Sequence, residues 1–216
     1  GHLDDPAPFE LSWHATDLAD GLVSRHATFV SREPDLPDPA RLGPLLHVSP
    51  RDGFGKLVVF MAAGNDHAYA PRQRLAARLA LPGIASIIPE NPFYGRRRVV
   101  DDQAISTVVD FALMTGGAVN EARSLLATFE NEAPVIGVTG YSMGANIAAL
   151  IGATMPFPVA IAALAASRSP GPVWLDGVIR NVIDWEALGG EHQAERLRAA
   201  LTSASALDVR AAPHSA

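Results

Sequence analysis

The stretch Val135-Ile-Gly-Val-Thr-Gly-Tyr-Ser-Met-Gly-Ala-Asn-Ile-Ala-Ala-Leu150 decides the fold of this chain. It starts as an apolar segment of strand length, passes through a Gly-x-Ser-x-Gly turn at Ser142, and continues into an Ala-rich helix. Gly140 and Gly144 keep side chains out of this crowded reversal, so the serine hydroxyl is left exposed. The pattern predicts a catalytic nucleophile, and the alternative is a serine that only caps a buried helix.

Two backbone amides are candidates for stabilising an oxyanion beside Ser142. The N–H of Met143 lies at the start of the predicted helix, where the helix dipole favours negative charge. The second donor is expected from the loop after the predicted strand Leu57–Ala62, and we assign it to the N–H of Gly64, with Ala63 as the alternative. Ser142, Met143 and Gly64 are therefore the predicted catalytic residues.

The composition is that of one soluble globular domain. With 216 residues, 48% of them hydrophobic and 19% charged, the chain is long enough for a two-sided core and is not a disordered segment. Its net charge of −6 argues against a nucleic-acid surface, and its apolar runs are shorter than the ~20 residues of a transmembrane helix. The absence of cysteine excludes disulfides and a thiol nucleophile, and it favours a reducing, cytoplasmic location.

Apolar runs alternate with helical patterns through the middle of the chain. Buried strands are predicted over Leu57–Ala62, Ile84–Ile88, Val135–Thr139 and Pro158–Ala165. Helices are predicted over Ala70–Ala80, Met143–Thr154 and about residues 101–131, the last broken at Gly116-Gly117. Strands of this kind, alternating with helices, predict an α/β fold: a doubly wound, mostly parallel sheet with helices on both faces.

We expect residues 1–216 to form a single domain with three parts. Residues 1–44 form an N-terminal helical arm, with a helix over Leu11–Val30, and a connector. Residues 45–166 form the sheet core with the serine turn, and Leu45–Val48 adds an early edge strand. Residues 167–216 form a C-terminal helical segment, with helices over Val173–Ile183 and Trp185–Ala204.

Three loops leave the carboxyl ends of the predicted strands and are expected to converge on one crevice: residues 63–67, 89–98 and 141–144. His67 is a candidate substrate contact. The alternative is that Asp66 caps the following helix while His67 orders the loop. Tyr94, with Phe93, is a candidate wall for the apolar side of the pocket, or else a core residue.

The three consecutive arginines Arg96, Arg97 and Arg98 follow the second of these loops. Guanidinium groups there can hold a phosphate or carboxylate through paired hydrogen bonds, and Arg96 is our candidate substrate-binding residue. Because three adjacent side chains cannot all face one way, the alternative is a surface cluster paired with Asp101 and Asp102.

A serine nucleophile needs a general base, and none is evident in the sequence after Ser142. That part contains one convincing strand, which leaves no room for two further strands whose loops would carry an acid and a histidine. His192 lies in a charged helical run, and His214 with Asp208 lies in the terminal tail. We therefore expect a chain that lacks its C-terminal strands. The histidines have no metal-binding spacing and no Gly-x-Gly-x-x-Gly opens a helix, so no metal and no cofactor are predicted.

Three blocks of sequence resemble the α/β-hydrolase group typified by abhydrolase-domain-containing protein eighteen. They are Glu90-Asn-Pro-Phe-Tyr-Gly-Arg-Arg97, Thr139-Gly-Tyr-Ser-Met-Gly144 and Asn181-Val-Ile-Asp-Trp185. The resemblance spans about Leu45 to Leu201 and implies a serine-hydrolase scaffold that acts on an ester, lipid esters included, with Ser142 as nucleophile. Family members usually carry Ala-Gly-Thr-Gly-Asp-His where this chain has Ala62-Ala-Gly-Asn-Asp-His67, and often Gly-His in place of Ala145-Asn146.

Two functions follow from this reading. The first is hydrolysis of a small-molecule ester or lipid by a serine nucleophile through an acyl-enzyme. The alternative is a non-catalytic, C-terminally truncated α/β-hydrolase-fold protein with a binding or structural role. A sheet that ends in an unpaired apolar edge also predicts a homo-oligomer.

Overall fold

A seven-stranded sheet organises the chain in the computed structural model, which describes residues 4–99, 105, 107–167, 170–177, 180–181 and 183–203. The strand order is β1-β2-β3-β5-β4-β6-β7. The strands are β1 (Ser12–Ala19), β2 (Leu22–Val30), β3 (Leu42–Pro50), β4 (Lys56–Met61), β5 (Ile84–Pro89), β6 (Val135–Tyr141) and β7 (Ala160–Leu164). The helices are α1 (Asp38–Arg41), α2 (Ala70–Ala80), α3 (Val108–Thr128), α4 (Met143–Thr154), α5 (Pro170–Leu175) and α6 (Ala194–Ser203).

The four strands β5, β4, β6 and β7 run parallel and form the part of the sheet that carries the serine turn. Val59 on β4 pairs with Ile87 on one side and Val138 on the other, and all three side chains are buried. Short runs of apolar residues form such strands because both faces of the sheet are covered by helices. The predicted α/β fold with parallel central strands is confirmed.

The N-terminal region is β-structure, so the predicted helical arm over Leu11–Val30 is wrong. β1 and β2 form an antiparallel hairpin, and β2 pairs antiparallel with β3. The hairpin turns at Asp20 and Gly21, whose φ angles are 52° and 76°; positive φ at both central residues is the geometry that Asp-Gly favours in tight hairpins. Since β3 lies between β2 and β5, the segment Leu45–Val48 is an interior strand and not the predicted edge.

The helices cover both faces of the sheet. α2 packs on one face through Ala76, while α3 and α4 pack on the other through residues such as Leu125 and Ile151. α3 runs unbroken through Gly116-Gly117, contrary to our prediction, because its buried face holds it against the sheet and α4 despite two poor helix formers. None of the helices within the described ranges is both long and apolar enough to cross a lipid bilayer.

Candidate active site

Ser142 stands at the sharp reversal between β6 and α4. Its backbone angles, φ 54° and ψ −117°, lie in a region that non-glycine residues rarely adopt. The residue is exposed, and its hydroxyl does not cap α4. A Cβ on Gly140 would overlap the backbone of Gly144, so the turn requires glycine at this position. These features are those of a nucleophile elbow.

The edge strand β7 holds this strained backbone in place. The amide of Ser142 donates to the carbonyl oxygen of Leu164 at 3.0 Å, which extends the pairing of β6 and β7 into the turn. Four residues further on, Asn146 and Ser167 exchange two hydrogen bonds, of 3.0 and 3.1 Å, between the first turn of α4 and the loop after β7. The turn at Ser142 is thus fixed to β7 from two sides.

The predicted oxyanion donors lie on two segments that pack against each other. Met143 begins α4, where the first amides of a helix have no intrahelical acceptor. Gly64 lies in the turn after β4, which closes with a hydrogen bond of 3.2 Å from the Asp66 amide to the Ala63 carbonyl oxygen. The backbone of Gly144 lies against the carbonyl of Ala62, immediately before that turn. The fold therefore brings the two predicted donor segments together.

Asn65 explains how this chain accommodates the change from the family's Ala-Gly-Thr-Gly-Asp-His loop. It occupies the place of the second glycine and adopts φ 62°, the left-handed conformation that the turn requires at its third residue. Asparagine tolerates this conformation better than other non-glycine residues do. The turn therefore forms in this chain without a glycine at its third residue.

Tyr94 lies between the turn and the elbow. Its hydroxyl accepts a hydrogen bond of 3.3 Å from the Asn65 amide and lies 4.0 Å from the sulfur of Met143. Its ring packs against that of His67 with 4.3 Å between centroids. Burial raises the pKa of the phenol, so Tyr94 is neutral at physiological pH. The side chain is only 4% exposed, so its contacts are chiefly with the protein.

His67 is half-buried at the same edge of the sheet. Its Nδ1 accepts a long hydrogen bond of 3.5 Å from the Gly95 amide, which leaves the proton of the neutral ring on Nε2. Burial and then the positive charge of Arg98 lower the pKa of His67, and both favour this neutral form. In this orientation His67 presents a hydrogen-bond donor.

The residue that the sequence analysis missed at this edge is Arg72. The alternative in which Asp66 caps α2 is wrong. Asp66 pairs instead with the guanidinium of Arg72 at 2.7 Å. Arg72 is buried and also donates to the carbonyls of Phe60 and Pro89 at the ends of β4 and β5. It therefore fixes the carboxyl ends of two neighbouring strands. An arginine in an otherwise ordinary helical pattern gave no signal of this role.

The three consecutive arginines have separate environments. Arg96 is 60% exposed and donates to the buried carboxylate of Glu90 at 3.2 Å and to the hydroxyl of Tyr69 at 2.6 Å. Arg97 is fully buried, so for this residue the expected surface cluster is wrong. Arg98 is exposed. Asp101 and Asp102, the expected partners of the cluster, lie outside the described residues.

The described part of the chain places no general base on Ser142. Its hydroxyl has no hydrogen bond to any side chain within the described ranges. His192 lies within those ranges, but it is exposed and contacts its neighbour Gln193. His214 and Asp208, in the terminal tail, lie outside those ranges. The same ranges hold no group of three histidine or carboxylate side chains that a metal ion could bridge.

Comparisons with known proteins agree with this architecture. An esterase from an Arctic intertidal metagenomic library is 18% identical with a TM-score of 0.51, over 66% of this chain and 61% of the esterase. Acetyl xylan esterase 1 from Thermoanaerobacterium sp. is 13% identical with a TM-score of 0.63, over 96% and 75% of the two chains. An acetyl xylan esterase from Paenibacillus sp. R4 is 11% identical with a TM-score of 0.60, over 93% and 68%.

At these identities the likeness is one of fold, and the chain spans about three fifths of the length of the Arctic esterase. The sequence itself matches a family model, Alpha/beta hydrolase domain containing 18, over residues 13–215, which is nearly the whole chain. Together with the strand order and the elbow at Ser142, this match shows that the chain belongs to the Alpha/beta hydrolase domain containing 18 family.

Proposed function

We propose that this chain is a serine hydrolase-type domain that cleaves carboxylic esters, lipid esters among them. The observation that carries the proposal is the backbone of Ser142, which is held at φ 54° with an exposed side chain at the carboxyl edge of the parallel strands. A strained conformation of this kind persists only where the surrounding structure enforces it, and such residues cluster at active sites. The esterases that share the fold support the same reaction class.

The reaction begins when Oγ of Ser142 attacks the ester carbonyl carbon and gives its proton to a base. The carbonyl oxygen becomes negatively charged and receives hydrogen bonds from the amides of Met143 and Gly64. The tetrahedral intermediate expels the alcohol, which leaves with a proton, and an acyl group stays on the serine. Water then cleaves this acyl-enzyme and releases the acid.

Three side chains around the crevice are proposed to contact the substrate. His67 offers its Nε2–H as a donor, and the exposed guanidinium of Arg96 offers charge to an anionic group beside the ester. Tyr94 contributes the edge of its ring at the base of the crevice. Arg97 takes no part in binding, because Glu121 and backbone carbonyls occupy all its donors.

The competing function is a non-catalytic domain that keeps the fold. The observation that favours it is the Ser142 hydroxyl, which has no hydrogen bond to any side chain in the described ranges. In that case Ser142 would not be activated, and the crevice would serve binding alone. The two functions differ in one measurable property, the reactivity of a single hydroxyl.

Labelling with a fluorophosphonate probe, read by intact mass and peptide mass spectrometry, separates the two functions. We expect a stoichiometric adduct on Ser142 in the wild type and none in Ser142→Ala. Ser24→Ala, a serine substitution on β2 away from the carboxyl edge, serves as the matched control and should label like the wild type. Absence of an adduct on natively folded wild-type protein would contradict the enzymatic proposal and favour the binding role.

A second measurement addresses the ester class. A series of p-nitrophenyl esters of increasing acyl length, tested with wild type and Ser142→Ala, reports both turnover and the preferred acyl chain. A serine-dependent rate that rises with acyl length supports lipid esters, and one that is largest for acetate supports small esters. A rate that survives in Ser142→Ala would show that the hydrolysis does not depend on this serine.

A further inference from the structure

The turn that carries Gly64 belongs to a class of turns that can adopt two backbone forms. Its closing hydrogen bond joins the Asp66 amide to the Ala63 carbonyl, so Gly64 and Asn65 are the two central residues. Turns of this kind occur in forms that differ by a rotation of the central peptide, and positive φ at the third residue defines one of them. With φ 62° at Asn65, the chain holds that form.

Rotation of the peptide between Gly64 and Asn65 would replace the Asn65 N–H by the Gly64 carbonyl on the side that faces the elbow. In the observed form the Asn65 amide points to the hydroxyl of Tyr94, which itself lies 4.0 Å from the sulfur of Met143. The carbonyl of Gly64 belongs to the same planar peptide and points the opposite way. In the rotated form that carbonyl oxygen would face the elbow and repel a negatively charged oxygen there.

The observed form places Asn65 at a positive φ that non-glycine residues disfavour, so it needs a contact that holds it. The described side chain that hydrogen bonds to the central peptide is Tyr94, whose hydroxyl accepts a hydrogen bond from the Asn65 amide at 3.3 Å. Its position is fixed independently of the turn, because the side chain is 4% exposed and its ring packs on His67 at 4.3 Å. Asn65 itself is exposed, so the turn has little packing of its own.

The geometry points to Tyr94 as a positioning residue that holds the Gly64–Asn65 peptide in the form suited to an oxyanion beside Ser142. This inference rests on the proposed function and deepens it, because it assigns to Tyr94 an action through the turn in addition to any contact with substrate. The positive φ of Asn65 and the hydroxyl of Tyr94 act on the same peptide. Loss of either is therefore expected to have the same kinetic effect.

The test compares Tyr94→Phe and Asn65→Ala with two controls. Tyr94→Phe removes the hydroxyl and keeps the ring on His67, while Asn65→Ala disfavours positive φ at an exposed site and leaves the core intact. Asn65→Gly keeps both the amide and the left-handed conformation. Thr128→Val removes another hydroxyl that accepts a backbone amide, that of Phe9 at 2.8 Å, far along α3 from the elbow.

Hydrolysis of p-nitrophenyl acetate gives kcat and KM for each variant. Since loss of a whole oxyanion donor lowers kcat by about 10²–10³-fold, we expect Tyr94→Phe and Asn65→Ala to lower kcat by about 10- to 100-fold with KM within twofold. Asn65→Gly and Thr128→Val should retain the wild-type kcat. In ¹H–¹⁵N spectra, the Asn65 amide proton should move upfield in Tyr94→Phe, a change that does not depend on activity.

The outcomes separate this inference from the proposed function. If wild type carries no serine adduct and hydrolyses nothing, the proposed function fails and this inference fails with it. If wild type is active but Tyr94→Phe keeps its kcat, or the Asn65 amide resonance does not move, the positioning role alone is overturned. If Asn65→Gly loses activity as Asn65→Ala does, the asparagine side chain and not the peptide orientation is responsible, which also overturns it.

Discussion

The α-carbon of Gly144 packs directly against the carbonyl oxygen of Met61: a Cβ on this glycine would stand 2.6 Å from that oxygen. β4 and the first turn of α4 are therefore in backbone contact at the elbow. This contact sets the distance between the turn that carries Gly64 and the helix start that carries Met143. It also makes the position sensitive to a single methyl group.

Gly144→Ala is expected to remove the fluorophosphonate adduct on Ser142 and to lower the free energy of unfolding. The obstacle is backbone and cannot rotate away, so the cost should reach about 1–3 kcal/mol, as for overpacking in cores. Urea unfolding and labelling measure the two effects. Gly116→Ala is the matched control: it lies within α3 with open space around the added methyl, and should raise stability by about 0.5–1 kcal/mol. A Gly144→Ala protein that labels like wild type would contradict the close contact.

Arg97→Lys is expected to destabilise the protein strongly. Arg97 donates to both carboxylate oxygens of Glu121, at 2.6 and 2.7 Å, and to the carbonyls of Ala40 and Glu90. Lysine cannot reproduce this planar arrangement and would leave buried acceptors without donors, at a cost of about 3–5 kcal/mol in the free energy of unfolding. Urea titration measures it.

The control for Arg97→Lys is Arg198→Ala, which removes an exposed ion pair with Asp176 at 2.7 Å. Exposed pairs contribute little because solvent screens them, so the change should stay within experimental error. If Arg97→Lys and Arg198→Ala lowered the free energy of unfolding equally, burial of the Arg97–Glu121 pair would not account for its contribution to stability.

Stability should fall on acidification because of His47. Its ring lies among Phe54 and Phe129, and neither nitrogen hydrogen bonds to a described residue. Burial, aided by the charge of Arg25, lowers the pKa of His47 to about 4 from 6.5. Between pH 6.5 and about 4 the unfolded histidine takes up a proton and the folded one does not. His47 therefore has no effect on the free energy of unfolding above pH 6.5, and it lowers that free energy progressively as the pH falls towards 4.

The expected loss is about 3 kcal/mol across that range, at 1.36 kcal/mol for each pKa unit. Urea unfolding at a series of pH values measures it in wild type and in His47→Phe, where the loss should be reduced by that amount. An unchanged pH dependence in His47→Phe would assign the acid sensitivity to other groups.

The outer edge of β7 predicts self-association. All five residues of β7 are exposed, Ile161 and Leu164 among them, and among the described strands only β6 pairs with it. Since Leu164 directs its carbonyl to β6, the polar backbone groups of Ala163 point outward, where a second chain can pair. We expect light scattering to give a mass above the 22.8 kDa of one chain.

Ala163→Pro tests this edge, because proline removes an outward-facing amide and leaves the pairing with β6 in place. The variant should return to the monomer mass. A monomer mass for wild type would contradict self-association, and an oligomer that persists in Ala163→Pro would place the interface elsewhere. The opposite edge of the sheet, β1, carries polar residues and an irregular register, so it is the less suited of the two to pairing.

The parallel strands and their helices were predictable because their signals are local. Apolar runs at β4, β5 and β6 and the glycines around Ser142 each indicate their own structure without reference to distant residues. The hairpin of β1 and β2 had one local signal, Asp20-Gly21, which our assignment did not use. β1 is exposed throughout and β2 is largely half-buried, so both lack the apolar runs on which that assignment relied.

The environment of the arginines could not be predicted, because it depends on residues far along the chain. Nothing beside Arg97 indicates that Glu121 will meet it, and nothing beside Arg72 indicates the carbonyls at the ends of β4 and β5. The same holds for the pairing of Tyr94 with Asn65 across the crevice. Local patterns predicted the sharp turn at Ser142, while the residues that hold its surroundings in place required the three-dimensional structure.

The bond from the Ser142 amide to Leu164 has a consequence for the timing of synthesis. The serine leaves the ribosome before α4 and β7 do, so on the nascent chain its amide lacks the acceptor that Leu164 supplies. That hydrogen bond forms only after the strand ending at Leu164 has emerged from the exit tunnel and docked. One of the contacts that hold the backbone of Ser142 is therefore completed late in synthesis.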